Sequence, residues 1–259
     1  MTEITKEIKE NFKIKLEENI FHRTRAIYIE PSNFCNYTLL HPQCPTSKTE
    51  KHIMPLKTIE NIAKQLGNEN YKKLLCPYSF SEPLIDPRLY IILDILKKYV
   101  PKAHLGFTTN GFFLYETILD DIVKKGVDYI VVTAYFPKEY ERLQKLKDKV
   151  KGKYPLFLKI KKGFPLESRM LDLDSIYTRK EPSKSNKECR APYLYLYINR
   201  YADVSLCCYD WKSKITFGNL EEKNIREILL SDKMIDRYLN LRFNNRQKYP
   251  LCARCPRYK

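Results

Sequence analysis

The sequence predicts an α/β protein built on a parallel sheet, open or curled into a barrel, with a small cysteine-bearing unit behind it. Two observations predict this. Between residues 26 and 160, short apolar runs alternate with helical stretches, a pattern that requires parallel strands joined by helical crossovers. Near residue 175 the alternation stops, and the polar segment YTRKEPSKSNKE leads into a tyrosine-rich hairpin pattern.

The elements follow in order. Residues 2–21 place Ile4, Ile8, Phe12, Leu16 and Ile20 at four-residue spacing, the stripe of an amphipathic helix expected to pack on the main domain. Strands are expected at 26–30, 73–79, 103–108, 128–134 and 155–160. Helices are expected at about 55–66, 88–99, 114–125 and 138–150, with Gly67, Pro101, Gly126 and Gly152 as their stop signals. Tyr193, Tyr195 and Tyr197 then alternate with Leu194, Leu196 and Ile198 along a strand, NRYAD turns, and VSLCC returns. A helix covers roughly 224–242, and CARCPRYK closes the chain. The expected organisation is an N-terminal helix over 1–25, a sheet domain over 26–175 and a small domain over 176–259.

At 259 residues the chain is long enough for one substantial core and a small second unit. No apolar run approaches a membrane span, and the N-terminus is too charged for a signal peptide. Cytoplasm is the expected location, and no membrane partner is expected. The net charge of +16 suits an anionic substrate or peptide. Lysines spread through every helix and loop without an RNA-binding aromatic signature, so nucleic acid is not expected.

Eight cysteines in a chain without an export signal argue for metal ligation over disulfides. Cys189 and Cys207 are expected to meet at the open end of the C-terminal hairpin, and Cys252-Ala-Arg-Cys255 forms a tight two-thiolate knuckle. Four soft thiolates select zinc or an iron–sulfur cluster, and spacing alone does not choose between them. Cys208 points away from Cys207 on its strand and is expected to be a small buried residue. At the other end, Cys35 and Cys44 flank CNYTLLHPQCPTS, in the loop after the first strand.

The stretch from Cys189 through FGNLEEKNIREILLSDK to LCARCP resembles the twitch domain, the short form of the SPASM extension of radical S-adenosylmethionine (SAM) enzymes. The rest of the chain is similar to the same family over residues 26–259, in IEPSNFCN, CPTS, the EPL turn and TNGFFL. Within the family the likeness is to the 2-deoxy-scyllo-inosamine dehydrogenases of aminoglycoside biosynthesis. The resemblance implies a partial (β/α) barrel of five to six parallel strands with a C-terminal twitch domain. It implies one auxiliary [4Fe–4S] cluster on Cys189, Cys207, Cys252 and Cys255, and a second, SAM-binding cluster at Cys35 and Cys44. The family's motif is CxxxCxxC, and its middle cysteine is missing here. Keeping the second spacing puts His41 at that position, and imidazole ligates iron in Rieske centres. Ser47 is the other candidate, a poor iron ligand; the site could also be incomplete.

Ser81, Glu82 and Pro83 resemble the family's GGEP-like turn for the SAM amino group, and Thr109, Asn110 and Gly111 its TNG turn. Arg169 is the counterpart of a substrate-facing arginine. The implied activity is hydrogen abstraction by a 5′-deoxyadenosyl radical, with oxidation of a small-molecule or peptide substrate and an electron donor such as flavodoxin or ferredoxin. The alternatives are a peptide-modifying enzyme and a scaffold or electron carrier whose SAM site has decayed.

Overall fold

The computed structural model describes residues 4–40, 44–163, 177 and 188–255. Its centre is an eight-stranded sheet in the order β5-β4-β3-β2-β1-β6-β7-β8. Strands β1 (Ala26–Ile29), β2 (Leu74–Cys76), β3 (His104–Thr109), β4 (Val127–Ala134), β5 (Phe157–Lys162) and β6 (Tyr195–Ile198) run parallel. Strands β7 (Asp203–Ser205) and β8 (Thr216–Asn219) continue antiparallel from β6. The expected five to six parallel strands are present.

Helices α3 (Leu56–Asn68), α4 (Leu89–Tyr99), α5 (Glu116–Lys124) and α6 (Pro137–Lys149) connect the parallel strands, close to their expected bounds. Each turns an apolar stripe inward: Ile59, Ile62, Ala63 and Leu66 from α3 and Ile92, Leu93 and Leu96 from α4 are almost wholly buried. They join Ile27, Leu75, Leu105, Ile130 and Val132 of the sheet in one core. Helix α3 runs past Gly67 instead of stopping there. A Cβ at Gly67 would lie 2.1 Å from the Tyr99 carbonyl oxygen, so the glycine serves the close approach of α4.

Three other expectations change in the C-terminal part. The tyrosine-rich strand at 195–198 is more than one arm of a hairpin: it pairs in parallel with β1, Tyr28 opposite Tyr197, so barrel and small domain share one sheet. The helix expected over 224–242 is two helices, α8 (Ile225–Leu229) and α9 (Asp232–Arg242), because Ser231 caps the second through Met234 N. Here α7 is the turn Ala191–Leu194 and α10 is Pro250–Ala253. The N-terminal helix α1 (Lys6–Glu18) packs on α9, not on the barrel helices. Its Leu16 joins Ile235, Tyr238 and Leu239, and Phe12 stacks on Tyr238 at 4.9 Å. Among the described residues no helix is long and apolar enough to cross a membrane.

Candidate active site

The carboxyl ends of the parallel strands surround a cavity of about 460 Å³. Cys35, Cys44, Ser81, Glu82, Thr109 and Asn110 line it together. Pro83 and Gly111 do not reach it; both shape turns that do. His41 and Arg169 lie outside the described residues.

The loop carrying Cys35 and Cys44 is held by its own polar side chains. Asn33 donates from Nδ2 to Thr49 Oγ1 and to the Glu50 carbonyl, and accepts at Oδ1 from His52 N. One buried amide thus closes the base of the loop. Cys44 precedes helix α2 (Pro45–Lys48). Its sulfur accepts from Thr46 Oγ1 at 3.1 Å, and Cys35 Sγ accepts from Tyr37 N at 3.4 Å. Burial pushes the Cys35 thiol up to about 11, with Glu82 and Cys44 adding to the rise. Ser47 donates its hydroxyl to the Thr38 carbonyl at 2.8 Å and does not line the cavity. Leu39 is 94% exposed.

Glu82 holds the neighbouring turns together. It is 3% exposed, and its carboxylate accepts from Leu84 N, from Thr109 Oγ1 at 2.6 Å and from Asn110 N at 2.7 Å. Burial outweighs these donors and carries the carboxyl up to about 7. Both oxygens are thus engaged by the protein, and Glu82 acts by fixing the TNG turn. Its own N–H donates to the Phe34 carbonyl, and Asn110 Nδ2 donates to Asn36 Oδ1 at 2.7 Å. Three successive strand-end loops are locked to one another before any ligand arrives.

Several lining residues escaped the sequence reading. Tyr28, Tyr78 and Tyr197 form an aromatic wall: Tyr28 stacks on Tyr197 at 4.8 Å and meets Tyr78 edge-on at 5.7 Å. Tyr78 donates to Thr108 Oγ1 at 2.7 Å. Lys161, at the end of β5, is the one cation among the described lining residues. Most occupy the carboxyl ends of parallel strands, where such folds build their sites, and that rule would have found them. Cys208 corrects an expectation: it lines this cavity beside Tyr209 and Tyr197 and is not a packed core residue.

Cys207 is not among the residues lining this cavity. Cys189 is tied to α9 by its N–H to the Leu241 carbonyl at 2.9 Å, and Cys255 N donates to the Cys252 carbonyl. Cys207 lies within electrostatic reach of Cys189 and Cys252, and Cys252 of Cys189 and Cys255. Yet among the described residues no three His, Cys, Asp or Glu side chains group closely enough to hold one metal ion. In a four-iron cluster each thiolate takes its own iron, so the sulfurs stand apart, whereas one tetrahedral zinc draws all four to a point. Burial pushes the Cys252 thiol up to about 12 against the pull of Arg237, whose Nη1 donates to Cys252 Sγ at 3.8 Å. Arg237 in turn lies 3.7 Å over the Tyr249 ring.

Residues 189–256 match the family model of SPASM, the iron–sulfur cluster-binding domain. The S-adenosyl-L-methionine-dependent 2-deoxy-scyllo-inosamine dehydrogenase of Niallia circulans is 25% identical over 234 residues, covering 88% of this chain and 91% of that protein. The crystal structure of BtrN in complex with AdoMet and 2-DOIA superposes with a TM-score of 0.75 at 22% identity, covering 90% of this chain and 92% of that one. BtrN in an open conformation gives 0.69 at 23% over the same shares. More distantly, native anSMEcpe with bound AdoMet shares the fold at a TM-score of 0.56 and 13% identity, over 90% of this chain and 88% of that one. Residues 189–256 are thus a SPASM iron–sulfur cluster-binding domain, and over most of its length the chain is similar to a SAM-dependent dehydrogenase and has the fold of BtrN.

Proposed function

We propose that the protein oxidises a C–H bond of a small polyhydroxylated substrate of the aminocyclitol class, a carbinol carbon becoming a carbonyl. The observation that carries this is the shared cavity: Cys35 and Cys44 open onto the space bounded by the TNG turn, the tyrosine wall and Cys208. When bound, SAM with its cluster supplies a hydrogen-atom acceptor and the SPASM cluster a one-electron acceptor. Cys35 and Cys44 would hold the first cluster, with His41 the candidate for its third ligand. Cys189, Cys207, Cys252 and Cys255 would hold the second.

The chain's own part is binding, orientation and exclusion of water. A cavity of about 460 Å³ is in the range of a small ligand beside a cofactor. The faces of Tyr28 and Tyr197 offer an apolar platform to ring carbons, while Lys161 and the hydroxyls of Tyr209 and Thr133 face polar substituents. The backbone of Ser79–Ser81 and Asn110 borders the same space and suits the amino-acid end of SAM. Glu82 contributes by holding that backbone still.

The test is anaerobic reconstitution followed by iron and sulfide counting, then incubation with SAM, dithionite and 2-deoxy-scyllo-inosamine. The reading expects about eight irons, four per cluster, 5′-deoxyadenosine, and a product two mass units lighter than the substrate. About four irons with no 5′-deoxyadenosine would overturn it.

A further inference from the structure

A second cavity, of about 280 Å³, opens beside the SPASM thiols. Its wall includes Cys189 and four arginines: Arg23 and Arg25 from the segment before β1, Arg190, and Arg242 at the end of α9. Arg23 lies 5.3 Å over the ring of Tyr193, and the Arg25 N–H is fixed on the Leu194 carbonyl. Among the described residues, the one ion pair made by any of the four is that of Arg190 with Glu188. Three guanidinium charges therefore remain uncompensated around one opening, an arrangement that repels itself until an anionic surface covers it.

The position of this cavity identifies what covers it. Of the four SPASM cysteines, Cys252 and Cys255 are each 9% exposed, whereas Cys189 and Cys207 are half-buried and Cys189 borders the basic cavity. Cys208 lines the active-site cavity while its chain neighbour Cys207 belongs to the SPASM set. The thiol set thus adjoins both cavities, one through the chain neighbours Cys207 and Cys208 and the other through Cys189. A site for a small anion has no reason to open on a cluster ligand. A site where an electron leaves or enters does.

We infer that the Arg23–Arg25–Arg190–Arg242 cavity is the docking surface for an acidic one-electron carrier protein, which exchanges electrons with the SPASM cluster past Cys189. The inference rests on the proposed oxidation. Converting a carbinol to a carbonyl removes two electrons and two protons: one electron leaves with a hydrogen atom to the SAM-derived acceptor, one proton is released, and the second electron passes to the SPASM cluster. That electron reduces the oxidised carrier by one equivalent, which restores the cluster for the next cycle.

The test uses the reconstituted holoenzyme and a recombinant acidic flavodoxin. Binding is read by fluorescence anisotropy and electron transfer by stopped flow, at low and high salt. The variant R23E/R25E is compared with K138E/K145E, an equal charge change on the exposed face of α6 at the other edge of the sheet. The expected result is a loss of flavodoxin affinity and transfer rate of about tenfold or more in R23E/R25E only, with wild-type binding weakening as salt rises. Equal binding by all three proteins would overturn the inference, as would inorganic phosphate binding at the arginines with flavodoxin unaffected. Iron content on the same samples separates the two readings. Loss of the second cluster from wild type overturns the proposed oxidation, while two intact clusters with arginine-independent docking overturn this inference alone.

Discussion

Gly111 is the position where a single methyl group should do most harm. Its φ is +78°, in the left-handed region, and a Cβ there would stand 2.5 Å from Val132 Cγ1 and 2.9 Å from Leu143 Cδ1. Two costs follow for Gly111→Ala. The left-handed backbone costs an alanine about 1–2 kcal/mol. The overlap with two side chains at 0% exposure costs about 1–3 kcal/mol, since neither has free space to yield into. The sum is about 2–5 kcal/mol, and each kcal/mol lowers Tm by about 2–4 °C in a chain of this size. The assay is thermal unfolding of the metal-free protein, repeated on Val132→Ala and on the double variant. Val132→Ala removes the nearer clash but not the backbone strain, so the double variant should be more stable than the sum of the single losses predicts, by about 1–3 kcal/mol. Strict additivity, or a Gly111→Ala protein as stable as wild type, would refute the steric reasoning. SAM affinity should fall in step, because the same turn carries Asn110 and its bond to Asn36.

Three further outcomes are expected. Glu82→Ala leaves Leu84 N, Thr109 Oγ1 and Asn110 N without their acceptor and should cost about 2–4 kcal/mol in the absence of SAM; unchanged thermal stability with lost SAM binding would instead make Glu82 a direct ligand. Arg237→Gln removes the donor to Cys252 Sγ and should lower the SPASM cluster potential in an electrochemical titration by about 40 mV, the equivalent of about 1 kcal/mol for one electron, with no loss of iron. Arg200→Ala strands the buried carboxylate of Glu30, which is 3.2 Å from Arg200 Nη1, at a cost of about 3–5 kcal/mol near neutral pH. Burial raises the Glu30 carboxyl above its ordinary range even with its partner. Its neutral form is thus the better tolerated one in the fold, and the deficit of Arg200→Ala in chemical denaturation should grow as pH rises from the carboxylate range and shrink in acid.

The parallel sheet was legible because each strand is short, apolar and bounded by its own helix, so local pattern and final pairing agree. Strand β8 was not legible: TFGN reads as a turn, and it becomes a strand by pairing with β7. The same holds for β6, whose alternation looks like one arm of an isolated hairpin until β1 is beside it. Helix α1 showed its stripe but not its partner, since Leu16 and Phe12 would fit any apolar groove and α9 supplies it.

The sequence by itself determined the chemistry on offer: which thiols are paired with which spacing, the glycine that the TNG turn needs, and the family those motifs resemble. Only the tertiary structure decided where that chemistry faces. Glu82 became a buried clasp because Thr109 and Asn110 reach its carboxylate across two strand ends. Cys208 came to line the active-site cavity while its neighbour Cys207 did not, and Arg23, Arg25 and Arg242 gathered beside Cys189 and Arg190. Ligand type and spacing are local properties carried along the chain. Direction, burial and field are set by residues that meet only when the sheet closes.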